Sequence, residues 1–512
     1  MPWSEEFVTQ LDNPSKSVEY ILRFLDSSLD YLGTGRSFST TSSIRLTNAE
    51  ITIDNARVTP HRWSVNFGGF TVTLSGDFRR RRYTFFKGRI AELWIIRNGI
   101  TERVSIGQVR NVSAYRDIFT IEFSDILSMM SSRLTLSGSR TDFFYNTGFE
   151  ATVQQNFDFS TDPKLYISDV TKFETESGVS GIIHVFDSQN SVDMYFSFNS
   201  ATVVNFPSGY LTINAVDVYP SESSNQQLQI GDKVRSCAWL RGRQDYIFAR
   251  ILMSTGVQGT TGYFDLYPKS WSLGFAFASE FVNKADMDRF YTSFWKPSST
   301  VNHNFNLIIE EPTNIRGLLE YFLSTGMFPA FKQGQIVWRG AINPSTISAN
   351  SFLIAARITD LDIYSIDSHQ YYSPSQSVYY SASRIRYYNG TTVTIKTKQR
   401  QSGGFFPSAS AYIRDHSLIY AKTNQGAMAQ KDLERLYIWD GVPFEELVIS
   451  VTEKFATLCA GDVIELTSNY IYGIHEREGE TYNRKRCFVL GVRWLPSQSK
   501  CILTLAVTKE GG

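Results

Sequence analysis

The chain has 512 residues, 42% of them hydrophobic and 14% aromatic, with 50 basic and 50 acidic side chains and no net charge. At about 100–200 residues per domain, three to four domains with ample cores are expected, and the charge balance excludes a broad electrostatic pull on nucleic acid or membrane. No apolar run approaches the ~18–20 residues that span a bilayer. The start, Met1-Pro2-Trp3-Ser4-Glu5-Glu6, lacks the apolar stretch of a secretory signal, so a soluble intracellular product is expected.

Residues 18 to 32 support two readings: Val18, Ile21, Leu22, Leu25, Leu29 and Leu32 suit a helix stopped by Gly33, while Val18, Tyr20, Leu22 and Phe24 suit a strand. Alternation of polar and apolar residues then predicts strands at 43–46, 49–53, 63–67 and 70–74. Ile126, Leu127, Met129, Met130 and Leu134 suit a short helix after Asp125. The pattern stays β from about 140 to 250, with a turn at Pro207-Ser208-Gly209 and a strand opening at Gly231-Asp232-Lys233-Val234. A helix is predicted over about 243–256, ended by Gly256, and another from the N-cap Thr313 to Gly326. A hairpin follows, with Phe328–Phe331 and Gln335–Trp338 on either side of Lys332-Gln333-Gly334. Asn389-Gly390, between two alternating runs, carries the strongest hairpin signal, because both residues accept the positive φ of a type I′ turn. Residues 425 to 440 read as helical.

One pattern occurs near both ends. Gly88-Arg89-Ile90-Ala91-Glu92-Leu93 matches Gly461-Asp462-Val463-Ile464-Glu465-Leu466. Ile106-Gly107-Gln108-Val109-Arg110 is then matched by Leu490-Gly491-Val492-Arg493, and the strand Phe119–Phe123 by Cys501–Leu505. The unequal gaps fall where hairpin tips absorb residues. This predicts one β-domain used twice, with Glu92 over Glu465 and Gly107 over Gly491, an arrangement suited to ring assembly.

Catalytic motifs are missing. The histidines at 61, 184, 303, 369, 416 and 475 are scattered, and neither HExxH nor a zinc spacing of Cys and His is present. The Gly-rich stretch at 256–262 has no basic anchor of a P-loop, and there is no GxSxG elbow. Glu310-Glu311 and Asp360 with Asp362 are acidic pairs of the kind a glycosidase needs, but 50 acidic residues supply such pairs by chance. Cys237, Cys459, Cys487 and Cys501 form no CxxC and read as reduced, although Cys487 and Cys501 flank one hairpin. Arg79–Arg82 reads as a solvated rim beside Tyr83, Phe85 and Phe86, with phosphate contact as the alternative. No catalytic, cofactor-binding or metal residue is assigned, and no enzyme activity is expected.

The order of elements resembles the tail hub proteins of tailed bacteriophages, which form the trimeric ring of baseplates and tail tips. The stretches that carry the resemblance are Gly88–Leu93 with Ile106–Val112 and Phe119–Leu134, then Asp245–Trp271, Asn314–Arg339, and the C-terminal strands, about half the chain. The resemblance implies a mainly β, minor α multidomain chain. Its first tube-type β-barrel domain would span 1–140, a middle β domain 141–250, an α+β and β-hairpin region 251–440, and a second tube-type barrel segment 441–512. It turns the segment at 18–32 into a hairpin. It further implies a homotrimer that adapts a six-fold tail tube to a three-fold tip, with part of the DNA channel at its centre. Its partners would be the tail tube or distal tail protein, tip, spike or fibre proteins, the tape measure protein, and passing genomic DNA. The setting would be the virion's tail tip or baseplate, after synthesis in the host cytoplasm. A receptor- or carbohydrate-binding tail adhesin using the Tyr/Ser-rich stretches 364–388 and 401–412 is the alternative, and a β-rich glycoside hydrolase or lyase a third.

Overall fold

The computed structural model describes residues 2–13, 18–24, 31–33, 44–45, 49–59, 64–75, 88–115, 118–125, 148–171, 173, 181–189, 192–219, 227–253, 279–295, 305–309, 319, 326–344, 347, 354–371, 382–388, 393–399, 413–420, 439, 444–473 and 481–508. Several expectations lie outside these residues: the helices at 126–134, 313–326 and 425–440 almost entirely, the arginine run 79–82, and Glu310-Glu311.

The chain is mainly β, and its largest sheet has 14 strands. Twelve of these form two sets of six. The first set is β1 (Val18–Phe24), β2 (Ala49–Asp54), β3 (Gly69–Ser75), β4 (Ile90–Arg97), β5 (Ile100–Tyr115) and β6 (Ile118–Asp125). The second is β7 (Ile354–Thr359), β8 (Ile363–Tyr371), β9 (Phe444–Thr452), β10 (Val463–Tyr472), β11 (Thr481–Leu495) and β12 (Lys500–Thr508). The first set is ordered β2-β3-β6-β5-β4-β1 and the second β8-β9-β12-β11-β10-β7, so each strand and its counterpart six places later occupy the same place. The second unit draws its first two strands from residues 354–371 and the other four from residues 444–508.

Residues 18–24 are a strand, and Ile21, Leu22 and Arg23 pair with Gly33, Leu32 and Tyr31 as a hairpin. Along β6, Phe119, Ile121 and Phe123 are buried while the residues between them are more open, the period of a half-buried strand. In β12 the same places hold Cys501, Leu503 and Leu505, all fully buried. One continuous apolar core runs under both units, from Phe7, Phe70 and Ile121 to Ile449, Val489 and Leu503. The helix α1 (Glu5–Leu11), not anticipated from sequence, closes one end of it. Its N-cap Ser4 accepts from the Phe7 N–H, and Phe7 and Leu11 are buried.

A ten-stranded sheet covers the middle of the chain and has its own core around Leu165, Ile183, Phe196 and Val234. Its strand Lys233–Gly242 pairs with Gly181–Asp187 and Phe305–Ile309, so the sheet continues across residue 250. The predicted helix near 243–256 is α2 (Gln244–Met253), and the predicted hairpin pairs Met327–Lys332 with Gln335–Gly340. Gln333 and Gly334 both have positive φ at its turn. Around Asn389-Gly390, Ala382–Tyr388 pairs with Val393–Gln399. The described pairs run from Ala382 with Gln399 to Tyr388 with Val393, and Asn389-Gly390 itself lies outside the described residues. A two-residue turn forms at Asn98-Gly99, between β4 and β5, where both residues have positive φ.

Candidate assembly surface

The repeated glycines start the same local structure. Gly88 and Gly461 sit at φ +83° and +90°, where a side chain is strained. The Gly88 N–H donates to the Val109 carbonyl at 3.0 Å, and the Val109 N–H donates to the Arg89 carbonyl at 2.8 Å. In the second unit Gly461 donates to Val489 and Val489 to Asp462, both at 2.8 Å. These bonds fix the correspondence. Glu92 lies opposite Ile106 and Glu465 opposite Arg486, so the two glutamates are equivalent, as the sequence predicts.

Each glutamate is buried and held by arginines from its two neighbouring strands. Glu92 meets Arg103 at 3.1 Å and Arg23 at 3.9 Å, whereas Glu465 meets Arg357 at 2.9 Å and Arg484 at 3.7 Å. The strands that present these arginines differ in direction: β1 runs antiparallel to β4, but β7 runs parallel to β10.

The second predicted equivalence is corrected. Gly107 lies opposite Ala91, the place that Cys487 takes opposite Ile464, so Gly107 corresponds to Cys487. Gly491 corresponds to Asn111, because both follow a one-residue bulge: Val109 faces Phe123 and Asn111 faces Glu122, while Val489 faces Leu505 and Gly491 faces Thr504. The sequence match followed a shared glycine, whereas the ladder is set by these bulges. The final match, Phe119–Phe123 with Cys501–Leu505, is in register, since Phe119 and Cys501 face Ala114 and Trp494.

The two units join edge to tip. Ile53 and Asp54, on the outer edge of β2, pair with Trp494 and Arg493 near the end of β11. The Asn55 N–H donates to the Val492 carbonyl at 2.9 Å. Arg493 reaches Asp54 at 2.5 Å, and Arg57 reaches Glu446 at 3.1 Å. A Cβ on Gly491 would lie 3.3 Å from Arg57 Cγ, so a glycine admits the close crossing. The turn Pro496–Gln498, at the tip of the β11–β12 hairpin, packs on β2.

Beneath this seam Arg97 of the first unit and Glu453 of the second form an ion pair with both side chains buried. Trp494 Nε1 donates to Glu453 Oε1 at 2.9 Å, and the Trp494 ring lies 5.4 Å from that of Trp3. Burial pushes the Glu453 carboxyl above its ordinary pKa, against the opposing pull of Arg97 and the Trp494 N–H.

At the other ends of the two units the same elements lack the edge-to-tip pairing among the described residues. β8, the counterpart of β2, ends the sheet and pairs only with β9 among the described residues. It and the preceding turn expose Leu361 (94%), Tyr364 and Ile366. The β5–β6 tip, counterpart of the tip that covers β2, exposes Ser113, Ala114, Tyr115 (70%) and Ile118. Ala114 is exposed where Trp494 is buried, and Ile366 where its counterpart Ile51 is buried.

Among the described residues the remaining sequence candidates do not converge. Asp362 caps the turn Asp360–Asp362, accepting from the Thr359 N–H at 2.9 Å and from Lys454, while Asp360 accepts from the Asn469 N–H. His184 bonds Asp193 and His369 bonds Glu445, each at 2.7 Å, on different sheets. All four cysteines are free thiols, with Cys459, Cys487 and Cys501 buried. Cys501 faces Trp494 while Cys487 precedes the Phe488–Ala506 pair, so the two lie at opposite ends of their ladder. Among the described residues no three His, Cys, Asp or Glu side chains are placed to hold a metal ion, and no helix is long and apolar enough to cross a membrane.

One further polar cluster fixes the hairpin Met327–Gly340 to the second unit. Asp462 accepts from Lys332 Nζ at 2.8 Å, Arg339 Nε at 3.0 Å and the Cys459 N–H at 3.1 Å. Burial alone would raise the Asp462 carboxyl, but Lys332 and Arg339 outweigh it and hold the group below its usual range. Arg339 also binds Asp286 on α3 (Lys284–Phe290), so helix, hairpin and unit are tied at one point.

No family model matches the sequence, and no curated protein matches it. Solved structures are similar across nearly the whole chain. The tail protein from Neisseria meningitidis MC58 is 9% identical with a TM-score of 0.39, covering 97% of each chain. The 43 kDa tail protein of prophage MuSo2 from Shewanella oneidensis is 10% identical with a TM-score of 0.39, covering 96% of this chain and 98% of its own. A PdpA–VgrG complex is 9% identical with a TM-score of 0.36, covering 97% of this chain and 65% of that one.

Proposed function

We propose that this chain is a structural, non-enzymatic subunit of a phage tail, and that three copies close into a hub between a six-fold tail tube and a three-fold tip. The observation that carries the reading is the duplication: two six-stranded units of the same order, joined edge to tip within one chain. An edge-to-tip contact is heterologous, so repeating it builds a ring when the rotation closes. Two units per chain and three chains give six quasi-equivalent positions for a hexameric tube, while the inserted middle regions repeat only three times. In this reading the two units are tube-type barrels, the ring surrounds part of the DNA channel, and its neighbours are tube, tape measure and tip proteins. The zero net charge supports a channel wall without a strong fixed hold on phosphate. The experiment is light scattering with negative-stain imaging of the purified chain, alone and with tube protein. Three-subunit rings with a central opening are expected. A chain that stays monomeric at every concentration, with tube protein present, refutes the hub, and glycan binding by that monomer would favour an adhesin instead.

A further inference from the structure

Resting on that ring reading, we propose the contact that closes it: the open edge β8 of one copy pairs with the open β5–β6 tip of a second copy, repeating the seam between the units of a single chain. The register follows from the equivalences already established. Asp54 faces Gly69 and Gln370 faces Glu446, and Gly69 and Glu446 occupy the same place in their units, so Gln370 stands where Asp54 does. By the same step His369 stands where Ile53 does, and on the tip Ser113 and Ala114 stand where Arg493 and Trp494 do. The inferred seam therefore sets Gln370 opposite Ser113 and His369 opposite Ala114. It also has the Tyr371 N–H donate to the Val112 carbonyl, as Asn55 donates to Val492.

The occupant is a second copy because the chain itself shows what covers this kind of edge. An open strand edge invites pairing, and its counterpart β2 is covered by a hairpin tip with Trp494 at its base. Both surfaces left over expose large apolar side chains, Leu361, Tyr364 and Ile366 around the edge and Tyr115 and Ile118 on the tip, among polar ones such as Ser365, Asp367 and Ser113. The seam within the chain carries two cross-seam ion pairs, Arg493–Asp54 and Arg57–Glu446. At the inferred seam Ser113 faces Gln370, so the first is replaced by a neutral pair, and Gly69 stands where Glu446 does, so the second lacks its acid. The closing contact thus leans on apolar burial and backbone pairing and holds less charge than the seam inside the chain. Its formation should accordingly change little with salt.

The test uses the full chain with Cys237, the one cysteine that is not fully buried, changed to Ser. Ser113→Cys and Gln370→Cys are made singly and together, oxidised mildly, and read on non-reducing gels beside light scattering. The double variant should give covalent dimers and trimers. The two single variants mixed should give dimers and nothing larger, and neither alone should link. Covalent dimers from Gln370→Cys alone would mean a two-fold edge-to-edge contact and overturn the proposal. A three-subunit particle in solution without cross-links would overturn the contact while leaving the ring intact. A monomer at every concentration would remove both.

Discussion

Replacing Arg97 by Met strips the cation from a buried pair that spans the two units. Both side chains are about 1% exposed, so water does not take the place of the lost guanidinium. Glu453 would keep the Trp494 N–H at 2.9 Å but no opposite charge. Breaking a buried pair from one side costs about 3–5 kcal/mol, because the remaining ion stays desolvated. The sign of the pH dependence follows from the Glu453 carboxyl, whose folded pKa already lies above its ordinary value through burial. A carboxyl raised in the folded state contributes stability that is full below its unfolded pKa and is lost as pH rises through the folded value. Without Arg97 the folded value rises further, so the Arg97→Met deficit should be small near pH 4.5 and grow toward neutrality. Adding Glu453→Gln removes the orphan charge while leaving an oxygen for Trp494, and should restore most of the loss. The resulting coupling in a double-mutant cycle should be about 2–3 kcal/mol. Because a multidomain chain does not unfold in one step, hydrogen exchange of the amides of β4 and β11 is the measure of choice. An Arg97→Met cost under about 1 kcal/mol, a cost independent of pH, or no rescue by Glu453→Gln would refute the reasoning.

Three other outcomes follow from the same geometry. Gly88→Ala and Gly461→Ala should each cost about 1–2 kcal/mol for the positive φ, but Gly461→Ala should cost more. Its Cβ would lie 2.5 Å from Arg339 Cβ, whereas nothing lies within 4 Å at Gly88, and hydrogen exchange of the Val109 and Val489 amides in the two variants checks the ranking. Gly107→Cys, which copies the residue of the second unit, should destabilise the first, because its Cβ would fall 2.3 Å from the Ser124 carbonyl oxygen; exchange in β5 and β6 reads it. Asp462→Asn should loosen the hairpin 327–340 at neutral pH. In the unmodified chain the stabilisation from Asp462 is present above the ordinary carboxyl range and lost as pH falls through its lowered folded value, which exchange of the hairpin amides across acid pH would follow.

Much of the duplication was legible in the sequence because it rests on local requirements. A glycine at the positive-φ entry of β4 and β10, the glutamate four residues on, and the alternation in β6 and β12 are each dictated by one strand and its immediate ladder. The same local logic picked out α2 and the hairpin at 327–340, and it left the strand reading of 18–24 open beside a helix. It erred where two glycines invited alignment: Gly107 and Gly491 look alike in sequence, but the bulges after Val109 and Val489 fix the register, and neither extra residue, Arg110 or Leu490, is the glycine that marks one class of bulge. Other features belonged to the tertiary structure alone. Strand β1 runs antiparallel to its neighbour and β7 parallel, although both set an arginine beside the repeated glutamate, since side-chain alternation carries no information about strand direction. The seam of β2 with β11, and the buried Arg97–Glu453 pair 356 residues apart beneath it, are contacts no window of sequence contains. Composition and periodicity determined that this chain builds sheets and builds one of them twice; which edges meet was decided by long-range packing.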